Sequence, residues 1–148
     1  TVRIINYLVV HCTAGSQNEK LPDLIAWFRA RGWKNNGYHI WIDGQGIRHD
    51  ITPLENIANG VAGHNANSVH VSYAGGVDSN GHAVDNRTDA QKAMLITVLK
   101  ELKQKFPTAK ILGHRDFSPD KNKNGKIDSY EWIKYCPCFD AISEYKNI

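Results

Sequence analysis

The amino-acid sequence reads Ile4-Ile5-Asn6-Tyr7-Leu8-Val9-Val10-His11 in its first apolar run. β-Branched and large apolar residues dominate this run, and Thr13-Ala14-Gly15-Ser16 follows it as a loop, so the stretch predicts a buried strand. His11 would then lie at the end of a strand, where functional residues commonly collect. The run therefore predicts one strand of a central sheet and a candidate site residue at the edge of that sheet.

A helix and a hairpin are predicted after this strand. Residues 21–33 carry apolar side chains at helical spacing, and Gly32 provides a stop signal. Apolar runs at 38–42 and 46–49 flank Asp43-Gly44, a dipeptide that supplies the positive φ angles of a tight turn. This pattern predicts two strands joined by that turn.

Strand and helix signals continue to alternate in the second half of the chain. Residues 68–73 read as a strand, Thr88-Asp89-Ala90-Gln91 has capping-box spacing, and the helix that follows keeps one apolar face until Pro107. Residues 110–112 read as a short strand that leads to His114. The alternation predicts an α/β fold, in which one domain is built on a mixed central β-sheet flanked by helices.

Composition narrows the classes of protein. The chain has 148 residues, 41% hydrophobic and 22% charged, which suits one globular domain. It has no apolar run near the roughly 18 residues of a membrane span and no leader pattern at its start, so we expect a soluble protein. A monomer is the default expectation. A net charge of +3 without a Lys/Arg run makes nucleic acid an unfavoured partner. An odd number of cysteines cannot all pair, and Cys136 and Cys138 lie too close in sequence to pair comfortably, so free or metal-bound thiols are expected.

Two further motifs supply metal-binding side chains to accompany His11. Gly113-His114-Arg115-Asp116 carries an imidazole, and Lys134-Tyr135-Cys136-Pro137-Cys138-Phe139-Asp140 carries thiols. Zinc prefers imidazole nitrogen and thiolate sulfur, and three protein ligands leave a fourth position for water, as in catalytic zinc sites. Spacing alone leaves an alternative, in which the histidines are hydrogen-bonded surface residues and Cys136 is a buried apolar residue.

Four motifs together resemble the type 2 N-acetylmuramoyl-L-alanine amidases, a zinc amidase family that includes phage lysozyme-type amidases and animal peptidoglycan recognition proteins. Two of them are quoted above, and the others are Leu8-Val9-Val10-His11-Cys12-Thr13-Ala14 and Gly37-Tyr38-His39-Ile40. The resemblance runs from about Ile5 to Asp140. It implies the recognition-protein fold, a single amidase domain over residues 1–148, and zinc-dependent hydrolysis of the amide bond between N-acetylmuramic acid and L-alanine in peptidoglycan.

The resemblance also implies roles for individual residues. His11, His114 and Cys136 match the zinc ligands, while Tyr38 and Lys134 match residues that stabilise the developing oxyanion or assist proton transfer. The bound zinc is expected to polarise the amide carbonyl and to activate a water molecule. By residue type alone, Tyr38 also fits a core aromatic residue and Lys134 a solvated surface lysine.

Other residues near these motifs receive more modest interpretations. His64 matches a family position beside the substrate groove, which predicts a substrate contact. Strand alternation places Cys12 and His39 on the face opposite the site residue that precedes each of them, so both are interpreted as structural. His70 stands where the family usually has a small residue, and no role is assigned to it.

Residues 120–131 match the twelve-position EF-hand calcium loop, with glycine at position 6 and isoleucine at position 8. The expected oxygen ligands are Asp120, Asn122, Asn124, the Lys126 carbonyl, Asp128 and Glu131. Asparagines in place of aspartates, together with nearby lysines, lower the expected calcium affinity, and a polar turn without calcium is the alternative. The loop is an insertion relative to many family members. We therefore predict a supporting role, in which calcium rigidifies the segment that carries Lys134 and Cys136.

These features favour a zinc-dependent peptidoglycan amidase over two other functions. A non-catalytic peptidoglycan-binding recognition module is the main alternative, although such binders commonly lack the cysteine ligand and Cys136 is present here. A calcium-responsive structural domain would leave the other motifs unexplained. Free cysteines favour synthesis in a reducing cytoplasm and later action on the cell wall, as in a phage or prophage endolysin, with a periplasmic or secreted enzyme as the alternative.

Overall fold

The computed structural model describes residues 3–148, with a five-stranded sheet at its centre. The strands are β1 (Tyr7–Cys12), β2 (Ile40–Ile42), β3 (Arg48–Asp50), β4 (Ser68–Tyr73) and β5 (Lys110–Gly113). Their order is β3-β2-β4-β1-β5, and every neighbouring pair is parallel except the antiparallel β2–β3 pair at one edge. The predicted α/β fold with a mixed central sheet is confirmed.

Helices pack on this sheet. They are α1 (Leu21–Ala30), α2 (Asp89–Lys105) and the short α3 (Ala141–Glu144). The predicted capping box begins α2: the Gln91 N–H donates to the Thr88 hydroxyl at 3.1 Å, and the Thr88 N–H donates to the Gln91 side-chain oxygen at 2.9 Å. Within residues 3–148, no helix is both long enough and apolar enough to cross a membrane.

Side-chain alternation separates the core from the opposite face of the sheet. The core beneath α2 takes alternate residues of β1 and β4, namely Leu8, Val10, Cys12, Val69, Val71 and Tyr73. The residues between them face the other side, which places His11 on the same face as His70 and Ser72 of the neighbouring strand. Helix α1 contributes Leu24 and Phe28 to a second buried cluster with Tyr38. The face of the sheet opposite α2 therefore carries the polar residues His11, His70 and Ser72.

Helix α1 ends in a glycine motif. Gly32 has a φ angle of 80°, its N–H donates to the Arg29 carbonyl at 2.9 Å, and the Trp33 N–H donates to the Phe28 carbonyl at 3.2 Å. These two bonds form a Schellman motif, and the Trp33 ring stacks on Phe28 with centroids 5.9 Å apart. The helix therefore stops at Ala30, before the predicted limit, and the motif fixes an aromatic residue beyond its end.

The predicted tight turn at Asp43-Gly44 is wrong, although β2 and β3 do pair as a hairpin. Residues 43–47 connect the two strands as a longer loop. The Asp43 carboxylate accepts hydrogen bonds from the N–H groups of Gln45 at 2.9 Å and Ile47 at 3.0 Å, and the positive φ angle, 82°, falls on Gly46. Hydrogen bonding by the aspartate side chain therefore selects a loop of a different shape.

Candidate metal centre and cleft

Three metal-binding side chains converge at one edge of the sheet. His11 lies near the end of β1, His114 directly follows β5, and Cys136 lies in the segment before α3. Because β1 and β5 are parallel neighbours, side chains at their carboxyl ends meet at the same edge. One ligand atom from each of the three residues lies within 4.8 Å of the other two. The structure thus brings together the set that the sequence predicted.

Hydrogen bonds and packing hold the segment that carries Cys136. The Tyr73 hydroxyl, which comes from the end of β4, donates to the Pro137 carbonyl at 2.6 Å. The buried Arg87 guanidinium lies 3.4 Å from the centroid of the Phe139 ring. These contacts bind the segment to the core on the α2 side, so the thiol of Cys136 is presented from a fixed backbone.

The donor atoms of the cluster fit zinc in chemical type. The Cys136 sulfur lies 3.8 Å from Nδ1 of His11 and accepts a hydrogen bond from the Cys12 N–H at 3.1 Å. Cysteine binds metals as the thiolate. Two imidazoles and one thiolate are ligands that zinc prefers. His11, His114 and Cys136 are therefore the residues that could hold a zinc ion.

Both histidines of the cluster are neutral near pH 7. Burial lowers the pKa of His11 well below its usual value, and the neighbouring His70 and His114 lower it further. Burial also lowers the pKa of His114 to about 4, with an added contribution from the positive charge of Lys134. Since only a neutral imidazole has a nitrogen lone pair available to a metal, these shifts favour metal binding at neutral pH.

Tyr38 lies beside the cluster and is almost fully buried. Its side chain is 7% exposed, its ring centroid lies 5.3 Å from that of His11, and its hydroxyl donates to the Cys12 carbonyl at 3.4 Å. Burial raises the pKa of the hydroxyl above its usual value. Tyr38 therefore keeps its proton and can act as a hydrogen-bond donor at the cluster.

A cleft of about 230 Å³ opens beside the cluster. Tyr38 and Lys134 line this cleft together with His11, His114 and Cys136. The cleft therefore contains all five residues to which the family resemblance gives catalytic or zinc-binding roles.

His64 lies in a smaller adjoining cleft of about 190 Å³, which shares His114 and Lys134 with the first. Its ring packs against Phe117, with centroids 4.6 Å apart, and against Tyr7 at 6.2 Å. The structure thus places His64 beside the metal centre and outside the ligand set.

The loop at residues 120–131 differs from the His-His-Cys cluster in how its donor groups are held. Its carboxylates accept hydrogen bonds from the loop's own backbone, as between Asp120 and the Gly125 N–H at 2.8 Å, and between Glu131 and the Asp128 N–H at 2.8 Å. Across residues 3–148, His11, His114 and Cys136 are the His, Cys, Asp or Glu side chains that group closely enough to hold a metal. Calcium binding by the loop stays a prediction.

The residues interpreted as structural lie outside the ligand set. The Cys12 sulfur lies 3.8 Å from the Cys138 sulfur and belongs to the core beneath α2. Nδ1 of His39 accepts a hydrogen bond from the His70 N–H at 3.0 Å, so Nε2 of His39 donates to the Asn56 carbonyl at 2.8 Å. Burial lowers the pKa of His39 to about 4, so this ring is also neutral at pH 7.

Several residues near the cluster received no role from the sequence. The Arg31 guanidinium lies 4.9 Å from the Trp27 ring centroid and 4.5 Å from that of Trp33, and all three residues line the larger cleft. The sequence does contain one sign of this arrangement: Gly32 ends α1, and the next residue, Trp33, turns back toward the helix. His70 is another, because its Nδ1 lies 2.9 Å from Nε2 of His11.

The fold and the cleft define a class of protein: an α/β domain with a three-ligand candidate metal centre at the edge of its sheet. A sequence model described as N-acetylmuramoyl-L-alanine amidase matches residues 1–129. The chain therefore belongs to the N-acetylmuramoyl-L-alanine amidase family. The match ends before Lys134 and Cys136, so the roles of these two residues depend on their position in the cleft and on the motif around them.

A relative in sequence agrees with this assignment, and two solved structures share the fold. The endolysin of Enterobacteria phage K11 is 32% identical over 127 residues, which cover 84% of this chain and 83% of the relative. The N-acetylmuramoyl-L-alanine amidase LysC from Clostridium intestinale URNW is structurally similar with a TM-score of 0.73 and 21% identity, over 95% of this chain and 80% of LysC. Bumblebee PGRP-SA gives a TM-score of 0.70 and 16% identity, over 99% of this chain and 84% of that protein. The two structures establish a shared fold, as predicted.

Proposed function

We propose that the protein is a zinc-dependent enzyme that hydrolyses the amide bond between the lactyl group of N-acetylmuramic acid and the L-alanine of peptidoglycan stem peptides. The observation that carries the proposal is the convergence of His11, His114 and Cys136 within 4.8 Å, in a cleft that also contains Tyr38 and Lys134. Membership in the amidase family and similarity to a phage endolysin support peptidoglycan as the substrate.

The protein's own residues would bind and stabilise the reacting amide. A zinc ion held by the His-His-Cys cluster would supply Lewis-acid polarisation of the carbonyl and a water of lowered pKa, about 7. The Tyr38 hydroxyl keeps its proton because of burial, so it donates a hydrogen bond to the developing oxyanion. Lys134 adds positive charge in the same cleft and is the candidate for delivering a proton to the leaving amine.

The two clefts offer contacts on either side of the cluster. His64 and Phe117 form an aromatic wall in the smaller cleft, and we assign them to substrate contact. The stack of Trp27, Arg31 and Trp33 provides a cation in the larger cleft, which suits a carboxylate of the stem peptide.

Product analysis tests the reaction directly. Purified protein is incubated with peptidoglycan of both the diaminopimelate and the lysine type, and the products are identified by mass spectrometry after chelation and after zinc is restored. The proposal predicts peptides with a free N-terminal L-alanine, released in a zinc-dependent reaction. Cleavage at a glycosidic bond or within the peptide would contradict it.

A non-catalytic recognition module is the alternative function. In that case the zinc-loaded protein would bind both types of peptidoglycan in a pull-down assay and release no peptide from either. The fold is shared with a peptidoglycan recognition protein, whereas the complete His-His-Cys set favours the enzyme.

Three further assignments complete the proposal. Residues 1–148 are assigned to one amidase domain, in which the loop at 120–131 is an insertion. Calcium is assigned to that loop as a stabilising ion without a part in catalysis. The site of action is the bacterial cell wall, in keeping with the similarity to a phage endolysin.

A further inference from the structure

A hydrogen bond joins a candidate zinc ligand to a histidine that the mechanism does not use. Nε2 of His11 lies 2.9 Å from Nδ1 of His70, and the two side chains are 1% and 0% exposed. The register of β1 and β4 pairs Val9 with His70. Because His11 lies two residues after Val9, on the same face of β1, both rings point to the same face of the sheet. A neutral imidazole has one donor and one acceptor nitrogen, so this bond requires a definite tautomer of each ring.

The Asn65 side chain and the Val61 backbone N–H determine the tautomers of the two rings. The Asn65 side-chain oxygen accepts a hydrogen bond from the Val61 N–H at 2.8 Å, which fixes the orientation of its amide group. The same oxygen lies 2.8 Å from Nε2 of His70, so that nitrogen must be the donor. Nδ1 of His70 is then an acceptor and Nε2 of His11 a donor. The proton-free nitrogen of His11 is therefore Nδ1, the atom that lies 3.8 Å from the Cys136 sulfur.

The surroundings are shaped to hold the His70 ring in this position. Gly60 packs directly on the ring, and a Cβ at this glycine would collide with Nδ1 of His70. On another side the His39 ring stacks on His70 with centroids 5.9 Å apart, and His39 accepts the backbone N–H of His70. The ring is thus fixed by contacts that do not involve the metal cluster.

We propose that His70 is a positioning residue, whose Nδ1 accepts from His11 and holds it in the tautomer with Nδ1 free to bind zinc. The inference depends on the proposed function only in taking zinc as the ion at His11. Metal-binding histidines commonly donate their second N–H to a fixed acceptor, and loss of that acceptor typically lowers metal affinity or activity about ten- to hundredfold. Here another imidazole provides the acceptor.

Two substitutions of His70, to residues of nearly the same shape as each other, test the hydrogen bond separately from packing. In His70→Asn, the side-chain oxygen takes approximately the place of Nδ1 and can accept from His11; in His70→Leu, no acceptor remains. Zinc affinity is measured by competition with a chromophoric chelator, and the tautomer of His11 in zinc-free protein is read from long-range ¹H–¹⁵N NMR spectra. We expect wild-type and His70→Asn to show a protonated Nε2 and similar affinity, and His70→Leu to bind zinc about ten- to hundredfold more weakly.

The outcomes separate this inference from the proposed function. Equal affinity of the Leu variant and wild-type, or equal losses in the Asn and Leu variants, would overturn the positioning role. If the Leu variant does not fold, the wild-type spectrum still decides, because a protonated Nδ1 of His11 contradicts the inference and a protonated Nε2 supports it. Failure of wild-type to bind zinc would instead contradict the proposed function, and the spectrum of the zinc-free protein would still test the tautomer.

Discussion

The His-His-Cys cluster and the EF-hand-like loop are both predicted metal sites, but they differ in how their donors are held. The cluster draws His11, His114 and Cys136 from separate elements, and their ligand atoms converge because strand ends and the Cys136 segment are fixed. The loop draws its donors from twelve consecutive residues, 120–131, whose carboxylates bond to their own backbone. The donors of the cluster are therefore brought together by the fold, whereas those of the loop are brought together by the local chain.

The cluster and the loop also differ in the charge around their donor atoms. Both cluster histidines are neutral, and His11 is buried, so a metal meets donors without competing protons. In the loop, Lys121, Lys123 and Lys126 lie among the expected ligands and repel a cation, which lowers the expected calcium affinity. We expect tight zinc binding at the cluster and weak calcium binding at the loop.

Removal of a cluster ligand should have the largest effect. Cys136→Ser replaces the thiolate with a poorer zinc ligand, so zinc binding and amide hydrolysis should each fall by more than about a hundredfold, beyond the range for outer-shell partners. Metal analysis and turnover of a soluble muropeptide measure the two effects. Cys138→Ser is the matched control, since Cys138 lies outside the ligand set and should retain zinc. Full activity of Cys136→Ser would remove this residue from the site.

Loss of the Tyr38 hydroxyl should have the next largest effect. Tyr38→Phe removes one donor to the oxyanion, which typically lowers kcat by about 10²–10³. Zinc content should be unchanged, because Tyr38 is not among the ligands. Steady-state kinetics on the zinc-loaded variant check the loss, and an unchanged kcat would make Tyr38 a packing residue.

Acid should destabilise the zinc-free protein through histidines whose pKa values are lowered in the folded state. The native pKa values of His39 and His114 are about 4, below the value of about 6.5 expected in the unfolded chain. The unfolded state therefore binds more protons between these limits, so the free energy of unfolding should fall by roughly 5 kcal/mol from pH 6.5 to 4, with about equal contributions from the two rings. Urea unfolding at several pH values measures the slope. His39→Gln should flatten it, whereas His82→Gln, a change at an exposed ring, should not.

Calcium should have the smallest effect. With a dissociation constant of about 1 mM, as in weak extracellular sites, about 10 mM calcium would add roughly 1.4 kcal/mol and raise Tm by about 3–5 °C. Differential scanning calorimetry with and without calcium measures this rise, which Glu131→Gln should abolish. If Tm of the wild-type protein does not respond, the loop is a polar turn.

The sequence predicted the elements that depend on local signals. The apolar run before His11, the capping box at Thr88 and the short strand before His114 each carry a pattern that the structure confirms. Strand ends then predicted that the two histidines would meet. The prediction of a tight turn at Asp43-Gly44 was wrong, because a hydrogen bond to the Asp43 side chain outweighed the turn preference of this dipeptide.

Contacts between distant side chains could not be predicted in the same way. The bond between His11 and His70 depends on the register of β1 with β4, and the tautomer depends on Asn65 beyond it. The stack of Arg31 between two tryptophans depends on the exact end of α1. Periodicity predicts which face a residue occupies but carries no information on its partner across the fold.

Zinc titration of the metal-free enzyme tests the central claim most directly. The release of peptides with N-terminal L-alanine is followed while zinc is added to wild-type protein and to Cys136→Ser. If His11, His114 and Cys136 form the catalytic zinc site, wild-type activity rises from near zero and saturates at one zinc per chain, and the variant stays inactive over the same range. Full hydrolysis by metal-free wild-type protein, or equal activation of the variant, would contradict it.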